Sequence, residues 1–113
     1  METYINKVIL QGKVGATKGS IISNRKHKRF TLLTQEITKD SKGITTIMST
    51  WHSCMAFESK DVTSEDIDRT APQAYVRVEG KLSNNRYIGP DGNERTFTEI
   101  NVEKLNIIQP DKE

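Results

Sequence analysis

Apolar residues along most of this chain recur at every second position, the period of a half-buried strand and not of a helix. From Tyr4 to Val14, the residues Val8, Leu10, Gly12 and Val14 share one parity. A glycine inside such a run marks a bend, a bulge or a close backbone approach. Gly15 to Asn24 reads as a loop, although Ile21 and Ile22 can open the next strand. A second strand is predicted over about Lys28–Thr38, with Phe30, Leu32 and Thr34 alternating against Thr31, Leu33 and Gln35. Asp40-Ser41-Lys42-Gly43 is a turn signal, and a third strand follows over about Ile44–Phe57.

The alternation stops from Glu58 to Arg69. Ser64 can cap a short helix there, with Glu65 and Asp66 favourably placed in its first turn and Pro72 barring its extension. A fourth strand is predicted over Ala74–Leu82, and Gly89-Pro90-Asp91-Gly92-Asn93 is the clearest turn in the chain. The last strand spans about Arg95–Ile108, with Ile100 and Val102 on one face. Three strands, one short helix and two strands form the order of the oligonucleotide-binding (OB) fold, an all-β, five-stranded Greek-key barrel. The expectation is one OB domain over residues 1–109, with 110–113 a short polar end.

Composition supports the β reading. Val, Ile and Thr number 30 against nine Ala plus Leu, and β-branched residues suit strands. The hydrophobic fraction of 34% is lean for a globular domain and suits subunits that assemble. No run of 18 apolar residues is present, so no transmembrane helix and no membrane partner are expected. The first residues lack the basic and apolar regions of a signal peptide. One Cys and two His support neither a disulfide framework nor a common four-ligand zinc site within the chain. A cytoplasmic protein without metal or cofactor is expected.

The net charge of +2 hides a polarity. Residues 1–56 hold nine Lys/Arg and three Asp/Glu, whereas residues 57–113 hold eight and twelve. The basic run Arg25-Lys26-His27-Lys28-Arg29 reads either as a solvated edge or as a phosphate-contacting patch. The acidic run lies between Glu58 and Asp68. This split implies a basic surface separated from an acidic one.

On the third strand, Trp51, Met55 and Phe57 share the odd parity and His52, Cys54 and Ala56 the even one. The small even set suits a barrel interior, which leaves Trp51 and Phe57 as candidates for stacking on bases. Either ring can instead close the barrel or fill a subunit interface. Tyr87 occupies the long hairpin between the fourth and fifth strands, an exposed place for a ring. His52 and Cys54 lack an orienting carboxylate, so they read as core or interface residues and not as a nucleophile pair. No enzymatic motif is present.

The chain resembles the bacterial single-stranded-DNA-binding protein family. Similar segments are Asn6-Lys7-Val8-Ile9-Leu10 with Gly12, Phe30-Thr31-Leu32 with Thr34, Trp51-His52 with Phe57, Val78-Glu79-Gly80-Lys81-Leu82, Asp91-Gly92-Asn93 and Thr98-Glu99-Ile100-Asn101-Val102. They cover about residues 5 to 107. The resemblance implies a non-enzymatic, sequence-tolerant binder of single-stranded DNA, built as a homo-oligomer, with a tetramer expected before a dimer. It implies stacking by Trp51, Phe57 and Tyr87. Lys7, Arg25, Lys26, Lys28, Arg29, Arg77 and Arg86 are the candidate phosphate contacts. It gives His52 a part in subunit assembly. Two departures matter. Ile37 stands where family members often carry another aromatic, and the chain stops at Glu113 without the acidic tail that recruits partner proteins. Recruitment through such a tail is therefore not expected. A primosomal replication-restart adaptor and an RNA-binding OB module share the fold and remain alternatives.

Overall fold

The computed structural model describes residues 1–108, and the expected polar end at 110–113 lies outside them. The elements run β1 (Val8–Ile22), β2 (Arg25–Lys39), β3 (Thr45–Phe57), α1 (Ser64–Arg69), β4 (Tyr75–Ile88) and β5 (Glu94–Ile108). The strands close into one barrel in the order β1-β2-β3-β5-β4. All-β architecture, five strands and a short helix between β3 and β4 agree with the sequence.

Closure depends on a short parallel seam, Cys54–Ala56 of β3 against Ile100–Val102 of β5. The other neighbours pair antiparallel. Because the seam is so short, the outer parts of β1–β2, β2–β3 and β4–β5 continue past the barrel as three hairpin arms.

Inward positions form one core from Val14, Phe30, Leu32, Cys54, Ala56, Val76, Val78, Ile100, Val102 and Leu105, joined by Val62 and Ile67. Burying a side chain the size of Ile67 contributes roughly 1.5–3 kcal/mol, which anchors the short helix α1 to the barrel. Gly12 is a close backbone approach. A Cβ there would lie 1.9 Å from the Leu33 carbonyl oxygen.

Three expectations change. The segment Gly15–Ile22 is strand, and β2 begins at Arg25, three residues before the predicted start. The reversal needs only Ser23 and Asn24, both left-handed at φ 50° and 64°, in a two-residue hairpin turn. Gly15, Gly19 and Ser20 in this segment lack strand propensity of their own, but the β2 ladder supplies its hydrogen bonds. The cap of α1 is Thr63, whose hydroxyl accepts from the Asp66 amide at 3.1 Å, in place of Ser64, which is the first helical residue. Finally, β4 runs on to Ile88, six residues past the expected end, because it pairs with β5 along the whole arm.

β5 also changes parity. Ile100 and Val102 are buried, and then Leu105 is. A bulge explains this, since Gly80 faces Val102 while Glu79 faces Lys104, leaving Glu103 as the extra residue.

Candidate nucleic-acid interface

The β2–β3 ladder sets Phe57 opposite His27, Met55 opposite Arg29, Ser53 opposite Thr31 and Trp51 opposite Leu33. Directly opposed residues share a face, so one outer surface carries all of these side chains. Cys54 and Ala56 point the other way and are buried, as their parity predicts. Trp51 is 58% and Phe57 41% exposed, six residues or roughly 20 Å apart along the strand. Met55 shares their parity yet is buried.

Each exposed ring has a seat. The far edge of the Trp51 indole lies over Gly15, where a Cβ would meet Cζ3 at 2.7 Å. Phe57 stacks on His27 with centroids 5.2 Å apart, and the Arg25 guanidinium sits 5.6 Å from its ring. Such cation–π contacts stabilise by about 0.5–1 kcal/mol at exposed sites. His27 is held in turn by Ser20, whose hydroxyl lies 2.7 Å from Nε2.

Tyr87, on the β4–β5 arm, meets Phe97 edge to face at 5.8 Å. Arg29 joins this arm to the β2–β3 face. Its guanidinium lies 5.8 Å from the Phe97 ring centre, and its Nε donates to Glu99 Oε2 at 3.0 Å. The Glu99 carboxylate is buried, and Asn85 Nδ2 donates to its other oxygen at 2.9 Å. Arg86 shares the arm and pairs loosely with Glu94 at 3.6 Å.

The basic run divides by strand alternation. Arg25, His27 and Arg29 lie on the outer face with the rings. Lys26 and Lys28 turn to α1: Lys26 pairs with Asp68 at 2.7 Å. Lys28 Nζ donates to the carbonyls of Ile67 and Thr70, both at 2.8 Å, and so closes the helix C-terminus. Burial there pulls the Lys28 ammonium below its usual range. Arg25 also donates to the Glu58 carbonyl. The basic and acidic runs are thus stitched together, and the clean separation of charge expected from the two halves of the sequence is not found. Lys7 pairs with Glu79 at 3.8 Å, and half-buried Arg77 stands opposite Gln11 and Asn106. Gln11 shares a groove with Lys13 and Leu33, so Arg77 borders the outer face of Trp51, whereas the Lys7 contact does not reach it.

Sequence reasoning missed Lys13, Lys18 and Phe97. Lys13 faces Leu33, itself opposite Trp51, and Lys18 faces Arg29. The two lysines differ in parity, but the register slips by one residue between Val14 and Thr17, which returns Lys18 to the face of Lys13. Phe97 carried a signal in its odd parity, opposite to Ile100 and Val102, once β5 is taken as paired along the arm.

No nucleophile emerges. The Cys54 thiol is 1% exposed and pushed up to about 12, first by burial and then by the nearby Glu99 charge. The His52 Nε2 is occupied by the Thr34 hydroxyl at 2.8 Å. Among the described residues, no group of three or more His, Cys, Asp or Glu is placed to hold a metal, and no helix is long and apolar enough to cross a membrane.

Comparisons with known proteins extend this picture. The chain is 29% identical to a single-stranded DNA-binding protein of Xylella fastidiosa, over 96% of its own length and 66% of that protein's. It is 30% identical to one of Xanthomonas campestris, over 96% and 63%. The chain therefore spans just under two thirds of the length of these curated relatives. The Plasmodium falciparum SSB, solved in complex with ssDNA, superposes with a TM-score of 0.75 at 25% identity, covering 98% of this chain and 99% of that one. The small single-stranded DNA-binding protein of Streptomyces coelicolor gives 0.67 at 18% identity, covering 90% and 93%, and supports the fold. The profile of the single-strand binding protein family matches residues 5–108. That match takes in all five strands and α1, so the chain belongs to the single-strand binding protein family.

Proposed function

We propose that this protein binds single-stranded DNA without sequence preference and protects it during replication, recombination or repair. The observation that carries the reading is the outer β2–β3 face, where two half-exposed rings, Trp51 and Phe57, lie among cationic side chains. Aromatic rings stack on any base, contributing about 1–3 kcal/mol each, and cations follow the phosphates. Trp51, Phe57 and Tyr87 are the stacking residues. Arg25, Arg29 and Arg86, with Lys13 and Lys18, track the backbone. Lys26 and Lys28 serve the fold, Lys7 stands apart from the path, and Arg77 borders it beyond Lys13. The protein acts by binding and not by catalysis. It works as a homo-oligomer, a tetramer in preference to a dimer, in the cytoplasm on the nucleoid.

Trp51 is the only tryptophan, so its fluorescence reports directly. Oligo-dT is expected to quench it at micromolar protein and low salt. Five phosphate contacts give log K a slope against log salt of about −3.5. Absence of quenching at both low and moderate salt refutes the reading. Sedimentation separates tetramer from dimer, and oligo-rU in place of oligo-dT measures the preference for DNA over RNA.

A further inference from the structure

A lean barrel that performs no catalysis has no general need for a buried carboxylate, because taking a charge out of water is costly unless it is paired and hydrogen-bonded. Glu99 is 3% exposed, and both its oxygens are engaged, Oε2 by Arg29 and Oε1 by Asn85. The Arg29 side chain stays 55% exposed. The ion pair uses Nε, which leaves the two terminal amino groups to a ligand. The Phe97 ring centre lies 5.8 Å from the guanidinium carbon, a cation–π contact that tethers it a second time. An arginine held at Nε and against a ring has lost part of its rotamer freedom before any ligand arrives. Its terminal fork is preorganised for an anion.

The space around this fork is shaped. A cavity of about 310 Å³ lies between the β1 bulge and β5, lined by Ala16, Thr17, Arg29, Phe30, Phe97 and Glu99. An open groove on the other side of Arg29 is bounded by Asn85, Arg86, Tyr87 and Phe97. A planar ring in this groove would meet aromatic carbon on Tyr87 and Phe97, with the Arg29 fork at its edge.

We propose that Glu99, Asn85 and Phe97 form the seat of a nucleotide subsite in which the base stacks on Tyr87 and lies against Phe97, and the phosphate is taken by the terminal amino groups of Arg29. Glu99 and Asn85 are positioning residues that act through Arg29, while Phe97 touches the base. The inference rests on the single-stranded DNA reading and extends it to Glu99, Asn85 and Phe97. It also accounts for a carboxylate placed next to an anion-binding arginine: the charge subtracts from attraction but holds the fork in place.

The test uses the full chain and fluorescence anisotropy of an end-labelled oligo-dT over a series of salt concentrations. Arg29→Lys keeps the charge but loses the fork and the ring contact. It is expected to weaken binding about tenfold with the salt slope little changed, because the slope counts neutralised phosphates and the charge is kept. Phe97→Leu keeps apolar volume and is expected to weaken binding by about fivefold to tenfold with the slope unchanged. Glu99→Gln is expected to weaken binding in the wild-type background and to add nothing to Arg29→Lys, because partners in one network are not additive. Tighter binding by Glu99→Gln shows that the carboxylate merely competes with phosphate and overturns its positioning role. Should Glu99→Gln fail to fold, Arg29→Lys and Phe97→Leu decide alone, and wild-type affinity in both overturns the subsite. Wild-type protein that binds no oligo-dT ends the DNA reading and the subsite together, whereas wild-type binding matched by every variant ends only the subsite.

Discussion

Substituting Gly15 by alanine tests whether the Trp51 ring must lie where it does. Gly15 lies within the slip in the β1 register and carries no side chain to keep the indole away from the sheet. A Cβ at this position would meet Trp51 Cζ3 at 2.7 Å, Cη2 at 3.1 Å and Thr31 Oγ1 at 2.7 Å. Carbon atoms pack at about 3.5–4 Å, so the ring recedes by roughly an ångström. Thr31 moves with it, which strains the bond its hydroxyl accepts from the Ala16 amide at 3.0 Å. Those losses amount to about 1–2 kcal/mol. Replacing glycine returns about 0.4–1 kcal/mol by restricting the unfolded chain. The net cost is about 1 kcal/mol, or a few degrees of Tm for a domain of this size. The effect on DNA is larger in proportion, because a displaced ring forfeits much of a stacking contribution of about 1–3 kcal/mol. Gly15→Ala is therefore expected to lower oligo-dT affinity about fivefold to tenfold. Gly19→Ala is the control: it lies on the same hairpin, its Cβ meets nothing closer than Lys28 Cε at 3.4 Å, and its affinity stays at wild type. Anisotropy gives the affinities and thermal melting the stabilities. Combined with Trp51→Ala, Gly15→Ala adds no further loss if it acts only through the ring. A Gly15→Ala protein that melts lower but binds and quenches like wild type refutes the reasoning.

Trp51→Ala itself separates stacking from packing. With the side chain 58% exposed, its removal lowers stability by about 1 kcal/mol in thermal melting but weakens DNA binding fivefold to more than a hundredfold; a large fall in Tm with unchanged affinity reassigns the ring to packing. Lys28→Met leaves the α1 carbonyls of Ile67 and Thr70 without their donor. Denaturation should show a loss of about 1–3 kcal/mol, while the salt slope of DNA binding stays the same; a slope shallower by about 0.7 would make Lys28 a phosphate contact after all. Cys54 gives a pH dependence. Its folded value near 12 lies above the ordinary 9.0, so between these values the unfolded chain loses the proton that the folded chain keeps. Stability is complete below pH 9 and falls by up to about 1.4 kcal/mol per pH unit above it. Urea melts from pH 8 to 11 should show a shallower fall for Cys54→Ala, and parallel curves would refute the assignment.

Much of this was legible along the chain. The period-two pattern, the turns at Asp40–Gly43 and Gly89–Asn93 and the break at Glu58–Arg69 set the order of elements found in the barrel. Parity alone separated Trp51 and Phe57 from Cys54 and Ala56, because side-chain direction in a strand follows directly from position. The division of the basic run was also within reach. Once Arg25–Arg29 is taken as strand, alternation sends Arg25, His27 and Arg29 to one face and Lys26 and Lys28 to the other. It was missed because Gly15, Gly19 and Ser20 read as loop, and those residues become strand only through hydrogen bonds donated and accepted by β2.

What the sequence determined by itself is what local chemistry carries: strand-forming composition, the places where the chain can turn, and which residues of an uninterrupted strand share a face. The tertiary structure decided everything that depends on register between distant segments. The bulge at Val14–Thr17 puts Lys13 and Lys18 on one face against their parity, and the extra residue Glu103 moves the core positions of β5. Lys28 reaches Thr70 across 42 positions, and Arg29 reaches Glu99 across 70. A bulge inserts one residue without a local signature, and an ion pair across the barrel exists only once the barrel has closed. For that reason the face that carries Trp51 and Phe57 was visible in the sequence, while the Glu99 contact that holds Arg29 appeared only in the fold.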